Sequence, residues 1–138
     1  MSHDKFNGSY TLIDKDADNF EKYMSAVGVG FILKKAAKNM SQSVKIEVDG
    51  ENIHVITTSP VKSSDEKFVF GVVRPVTTMD GRKVQCSLSK QGNDILMVED
   101  WDSACKHSEI TLKILDDGNM VFELRAGGVE CNRVYKRN

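Results

Sequence analysis

The sequence predicts an all-β protein, antiparallel strands closing a barrel or a sandwich, with one helical hairpin near its start. Three observations carry this expectation. From Ser43 onward apolar residues recur at every second position, the period of a strand with one face buried. Turn pairs such as Asp49-Gly50, Asp80-Gly81, Asp117-Gly118 and Gly127-Gly128 punctuate most of that stretch. Only the region from about 18 to 40 has helical periodicity.

One strand precedes the helical region. In the helical region Phe20, Tyr23, Met24 and Val27 recur at i, i+3, i+4 and i+7, which gathers them on one helix face. Gly28 and Gly30 interrupt that helix, and a second begins at Phe31. Val44, Ile46 and Val48 then alternate with Lys45 and Glu47. Further strands are expected at about 52–59, 66–73, 82–89, 94–101, 108–115, 119–126 and 129–136. A helical hairpin inserted after the first strand suits a barrel with a lid.

A chain of 138 residues fits a single domain, 1–138, and buries about 68–70% of its unfolded surface. Its 19 Lys and Arg against 20 Asp and Glu give a net charge of −1, without the basic excess of a nucleic-acid-binding domain. The polar N-terminus lacks the apolar core of a secretion signal, and Cys86, Cys105 and Cys131 are an odd count, so free thiols in the cytoplasm are expected. The three His show no ligand spacing with the cysteines, so no metal site is expected. Glu99, Asp100 and Asp102 flank Trp101 and read as a solvated cluster. No phosphate loop, nucleophile elbow or zinc-protease helix is present, and no catalytic residue or cofactor is assigned.

The last three strands carry the most information. Taking Asp117-Gly118 as a two-residue loop pairs Leu115 with Met120, Lys113 with Phe122 and Thr111 with Leu124. The same treatment of Gly127-Gly128 pairs Leu124 with Cys131, Phe122 with Arg133 and Met120 with Tyr135. Directly opposed residues share a face. That face is largely apolar and is taken as the interior, so Lys113, Arg133 and Tyr135 point inward. Burying a cation without an anion is costly, and no acidic residue shares the face on these strands. A ligand carboxylate with an apolar tail would supply the missing charge.

Here the sequence resembles the fatty-acid-binding proteins of the intracellular lipid-binding family, with a calycin-like barrel. FNGSYTLID, NFEKYMSAVGVGF, the DGRKV turn and the closing CNRVY follow the family pattern in order, from Phe6 to Lys136. The resemblance implies a ten-stranded up-and-down clam with a helix–turn–helix lid over a water-filled cavity. It implies that the carboxylate of a long-chain fatty acid meets Arg133 and Tyr135. It puts Lys113 where a second arginine is usual, keeping the charge without the guanidinium fork. The same matching gives Phe20, Met24, Leu33, Ala37, Ser59, Val61, Met79, Asp80, Arg82, Thr111, Phe122 and Leu124 as cavity and portal positions. Val61 replaces a portal aromatic, Val73-Arg74-Pro75 departs from an acidic-aromatic run, and the loop from Asp102 to Glu109 is about three residues long beyond the usual.

The expected activity is therefore non-covalent binding and intracellular transport of a long-chain fatty acid by a monomer that is not an enzyme. Alternatives are a carrier of retinoic acid or another bulky carboxylate, and a scaffold or signalling protein using the barrel surface. Lys34, Lys35 and Lys38 are a candidate contact for anionic membranes, and could also act as a nuclear-import patch.

Overall fold

A computed structural model describes residues 3–101 and 106–138. Asp102 and Cys105, two residues singled out above, lie outside the described residues. After a 3-10 turn at Asp4–Phe6 come β1 (Gly8–Asp14), α1 (Ala17–Ala26) and α2 (Phe31–Ala37). The strands then run β2 (Ser43–Asp49), β3 (Asn52–Thr58), β4 (Ser63–Val69), β5 (Arg74–Thr77) and β6 (Lys83–Gln91). They continue as β7 (Asp94–Trp101), β8 (Lys106–Ile114), β9 (Met120–Ala126) and β10 (Val129–Arg137). All ten form one antiparallel sheet in the order β4-β3-β2-β1-β10-β9-β8-β7-β6-β5, so the first and last strands pair and the sheet curls into a nearly closed barrel.

The alternation read from the sequence is the burial pattern. In β2 Val44, Ile46 and Val48 are buried while Lys45 and Glu47 face solvent. They pack with Phe6, Tyr10, Ile53, Leu88 and Ile95 in the core, where the Tyr10 hydroxyl donates to the Phe6 carbonyl at 2.7 Å. Such apolar side chains each contribute about 1.5–3 kcal/mol when fully buried.

The expected strand at 66–73 starts earlier and ends earlier, and a further strand, not expected from the sequence, follows it. β4 ends at Val69, Gly71 turns the chain at φ 82°, and β5 is a separate strand of four residues. β5 was masked in the sequence by Pro75, which cannot donate to a ladder and is tolerated because β5 is an edge. Backbone ladders stop at β4 and β5, and side chains bridge the opening: Arg74 Nη1 lies 2.6 Å from Glu66 Oε2.

The two helices lie between β1 and β2. Asp16 anchors them, adopting φ 45°, a left-handed conformation that Asp tolerates better than most residues. Its carboxylate accepts the Asn132 amide at 2.9 Å, which ties the start of α1 to β10. Tyr23 and Met24 are the buried face of α1, and the Tyr23 hydroxyl is hydrogen-bonded to Ser108 on β8. No residue of α2 is buried, and Phe31 and Ile32 are exposed.

Candidate ligand cavity

A cavity of about 510 Å³ lies between the helices and the barrel, within the roughly 300–1,000 Å³ common for small-molecule sites. The register that forms its floor follows from two turns. Val129 pairs with Ala126, so Gly127-Gly128 is the two-residue loop expected, and Cys131, Arg133 and Tyr135 lie opposite Leu124, Phe122 and Met120. The β8–β9 turn is different. Leu115 N donates to Asn119 O at 2.8 Å and Gly118 N to Leu115 O at 2.9 Å, closing a three-residue loop with Gly118 at φ 88°. A positive φ in a three-residue hairpin is glycine's place.

That extra loop residue shifts β8 by one against β9. Leu112, not Lys113, stands opposite Phe122, and Lys113 is paired with Val121. A one-residue shift turns every side chain of a strand to the other face. Lys113 therefore lies on the outer surface, 3.3 Å from Glu123, and does not line the cavity. Thr111 moves with it, facing Glu123 across the ladder and accepting a hydrogen bond from Arg125 at 2.8 Å. Leu115, expected inside, is exposed.

The other expected positions do meet at the cavity. Phe20 and Met24 come from α1, Leu33 and Ala37 from α2, Ser59 and Val61 from the β3–β4 turn. Met79, Asp80 and Arg82 come from the β5–β6 turn, and Phe122, Leu124, Arg133 and Tyr135 from the last two strands. Arg133 is only 4% exposed. Its Nη1 donates to the Lys15 carbonyl at 3.4 Å, and its guanidinium carbon lies 3.8 Å from the centre of the Phe20 ring. Among the described residues no carboxylate forms an ion pair with it. The Tyr135 hydroxyl donates to Gln42 Oε1, and its ring meets Phe122 at 4.8 Å. Burial pushes the Tyr135 phenol up against the opposing pull of Arg133, which keeps it a neutral donor. The site thus offers a buried guanidinium and a phenol among apolar walls.

The sequence pattern of the Lipocalin / cytosolic fatty-acid binding protein family matches residues 7–138. The chain belongs to this family. It is 35% identical over 138 residues to Fatty acid-binding protein 5 of Pygoscelis papua, covering 99% of each chain. It is 32% identical to Sodium/calcium exchanger regulatory protein 1 of Doryteuthis pealeii, covering 89% of this chain and 90% of the other. Among solved structures, the Schistosoma mansoni fatty acid binding protein in complex with arachidonic acid superposes with a TM-score of 0.89 at 25% identity, covering 100% of this chain and 99% of that one. Family membership makes this chain a lipid-binding protein and not an enzyme. No helix among the described residues is long and apolar enough to cross a membrane.

Several cavity residues of this family member escaped the sequence reading, Glu66 and Glu99 among them. Glu99 is 7% exposed and lines the cavity, whereas Asp100 beside it faces out and pairs with His107 at 2.6 Å. Its alternation with Ile95 and Met97 on β7 was the available signal; the acidic neighbours obscured it. Glu99 shares Arg82 with Asp80 at 3.4 Å and 2.6 Å respectively. Burial raises Glu99 above its ordinary 4.5, outweighing Arg82. Burial also pushes Asp80 upward, but its hydrogen bonds from Arg82 and Thr78 hold it below 3.8.

These opposite shifts have opposite signs in stability. A raised folded value means Glu99 contributes stability below pH 4.5 that is lost as pH rises through the folded value. A lowered one means Asp80 contributes stability above pH 3.8 that is lost as pH falls further. Glu99→Gln is therefore expected to raise stability at pH 7, with the gain shrinking by pH 4. Urea midpoints of both proteins at the two pH values check this, and a gain that persists unchanged at pH 4 refutes the burial argument.

Proposed function

We propose that the protein binds a long-chain fatty acid non-covalently in this cavity and carries it through the cytoplasm, with the carboxylate on Arg133 and Tyr135. The observation that carries the reading is Arg133, buried in an apolar cavity with no carboxylate partner among the described residues. A ligand carboxylate offsets its burial and gains about 1.5–3 kcal/mol per charge-assisted hydrogen bond. Each methylene removed from water adds about 0.8 kcal/mol before ordering costs. A submicromolar Kd needs a net of only about −8 to −10 kcal/mol. The arachidonic acid bound by the Schistosoma mansoni relative is a ligand of this class.

Calorimetric titration of the delipidated protein with oleate and with methyl oleate tests the reading. Strong binding of the acid with a large loss for the ester is expected. Equal binding would remove the head group from Arg133, and binding of neither would remove fatty acids altogether.

We also propose that cargo leaves at a membrane through α2. Its exposed Phe31 and Ile32 lie beside Lys34 and Lys35, an apolar and cationic pairing suited to an anionic bilayer. Lys38 is withdrawn from this role, since it pairs with Asp18 at 3.3 Å and Glu21 at 3.6 Å. Lys34→Gln and Lys35→Gln are each expected to slow transfer of a fluorescent fatty acid to anionic vesicles by about fivefold, from about 1 kcal/mol per charge. Transfer to neutral vesicles should change little; an equal slowing there would refute the electrostatic contact.

A further inference from the structure

The cavity has a second polar group of opposite character to Arg133. Arg82 in the β5–β6 turn is committed to Asp80, with Nε 2.6 Å from Oδ2 and Nη2 3.1 Å from Oδ1. Its guanidinium carbon also lies 4.6 Å from the centre of the Trp101 ring. Only Nη1 reaches Glu99, at 3.4 Å on Oε1, which is the long end of a hydrogen bond. Among the described residues no side chain donates to Glu99 Oε2. Glu99 is more than nine-tenths buried, and its second carboxylate oxygen, without a donor among the described residues, is open to the cavity, where a ligand can reach it.

The charge at this end decides what would relieve it. Two carboxylates face one guanidinium, so a second anion is repelled and a hydrogen-bond donor is attracted. The neighbouring Tyr23 hydroxyl is hydrogen-bonded to Ser108, and no hydrogen bond joins it to Glu99. The cavity therefore presents a donor at Arg133, a second at Tyr135 if a ligand oxygen replaces Gln42 as acceptor of its proton, and an acceptor at Glu99.

We infer that Glu99 is a specificity-determining residue that selects long-chain acids bearing a hydroxyl group on the chain, the hydroxyl donating to its free oxygen. This rests on the fatty-acid reading and narrows its ligand class. Hydroxyl-to-carboxylate hydrogen bonds are charge-assisted and among the stronger ones available to a neutral ligand. A dicarboxylic acid of the same length should be rejected by the same group.

The test is calorimetry of the delipidated full chain at pH 7.4 with palmitate, 16-hydroxypalmitate, stearate, 12-hydroxystearate and hexadecanedioate. At least one hydroxy acid should bind about tenfold more tightly than its plain counterpart, and hexadecanedioate more weakly than palmitate. In Glu99→Leu the ratio of hydroxy to plain acid should fall to about one. The isosteric Glu99→Gln keeps an acceptor without the charge, so it should retain part of the hydroxyl preference and lose the discrimination against the diacid. Circular dichroism of each variant confirms that the barrel is intact before ratios are compared.

Equal binding of plain and hydroxy acids by the wild-type protein would overturn the inference and leave the fatty-acid reading standing. So would a hydroxyl preference that survives in Glu99→Leu. Binding of hydroxy acids alone would uphold the inference and remove plain acids as cargo. Binding of no acid would sink both.

Discussion

Arg133→Gln is expected to weaken oleate binding by roughly 10- to 150-fold, the equivalent of one charge-assisted interaction. The same change should leave the ligand-free protein as stable as before, or more so. Arg133 is buried without an ion-pair partner among the described residues, so its charge is a burden on the empty fold. Gln removes the charge and gives up the guanidinium contacts with the Lys15 carbonyl and the Phe20 ring, a smaller loss than the burial cost it relieves. Titration with oleate measures the first effect and urea denaturation of the delipidated protein the second. Loss of stability without loss of acid affinity would make Arg133 a structural residue and send the head group elsewhere. Methyl oleate supplies the internal control, because its affinity should barely respond to the substitution.

A paired substitution on β8 has the next largest expected effect and tests the register directly. Leu112 is fully buried opposite Phe122, so Leu112→Ala should destabilise the protein by about 2–5 kcal/mol through lost burial and the cavity left behind. Lys113 is half-exposed and pairs with Glu123 on the outer surface. Lys113→Ala should change stability by less than about 1 kcal/mol, and oleate affinity by less than about twofold. Urea denaturation and calorimetry read both. A large loss of oleate affinity in Lys113→Ala would restore that residue to the cavity and refute the shifted register. With Leu112 at the position facing Phe122, the head-group end of the cavity has one cation on the last three strands, Arg133.

The contrast between the last two hairpins shows why one was legible and the other was not. Gly127-Gly128 closes as the two-residue loop its sequence suggests, so β9 and β10 pair as expected and bring Phe122, Arg133 and Tyr135 to one face. Asp117-Gly118 suggests the same loop just as strongly, but Asp116 joins it and Leu115 pairs with Asn119. Both loop lengths satisfy the local turn preferences of Asp and Gly. Choosing between them depends on which face of β8 packs better against the barrel, and Leu112 inside with Lys113 outside is the lower-energy choice. β5 was missed for a related reason, since Pro75 is acceptable in a strand only at an edge, and an edge is known only once the sheet is assembled. Glu99 was read as solvated because acidic neighbours in sequence suggest a common surface; alternate side chains on a strand belong to different faces.

By itself the sequence determined what is local. Alternating apolar residues, turn pairs and the interrupted helical stretch specified a β-rich fold with a helical lid, because the two periodicities follow from backbone geometry within each element. It also brought Arg133 and Tyr135 together, since residues two apart on a strand always share a face. Tertiary structure decided the offset between strands, and with it the exclusion of Lys113 and Thr111 from the cavity. It decided that Glu99 is buried and Asp100 is not, and that Arg82 is divided between two carboxylates. Those outcomes depend on long-range packing and desolvation, which assign a cost to each side chain only after the barrel has closed around it.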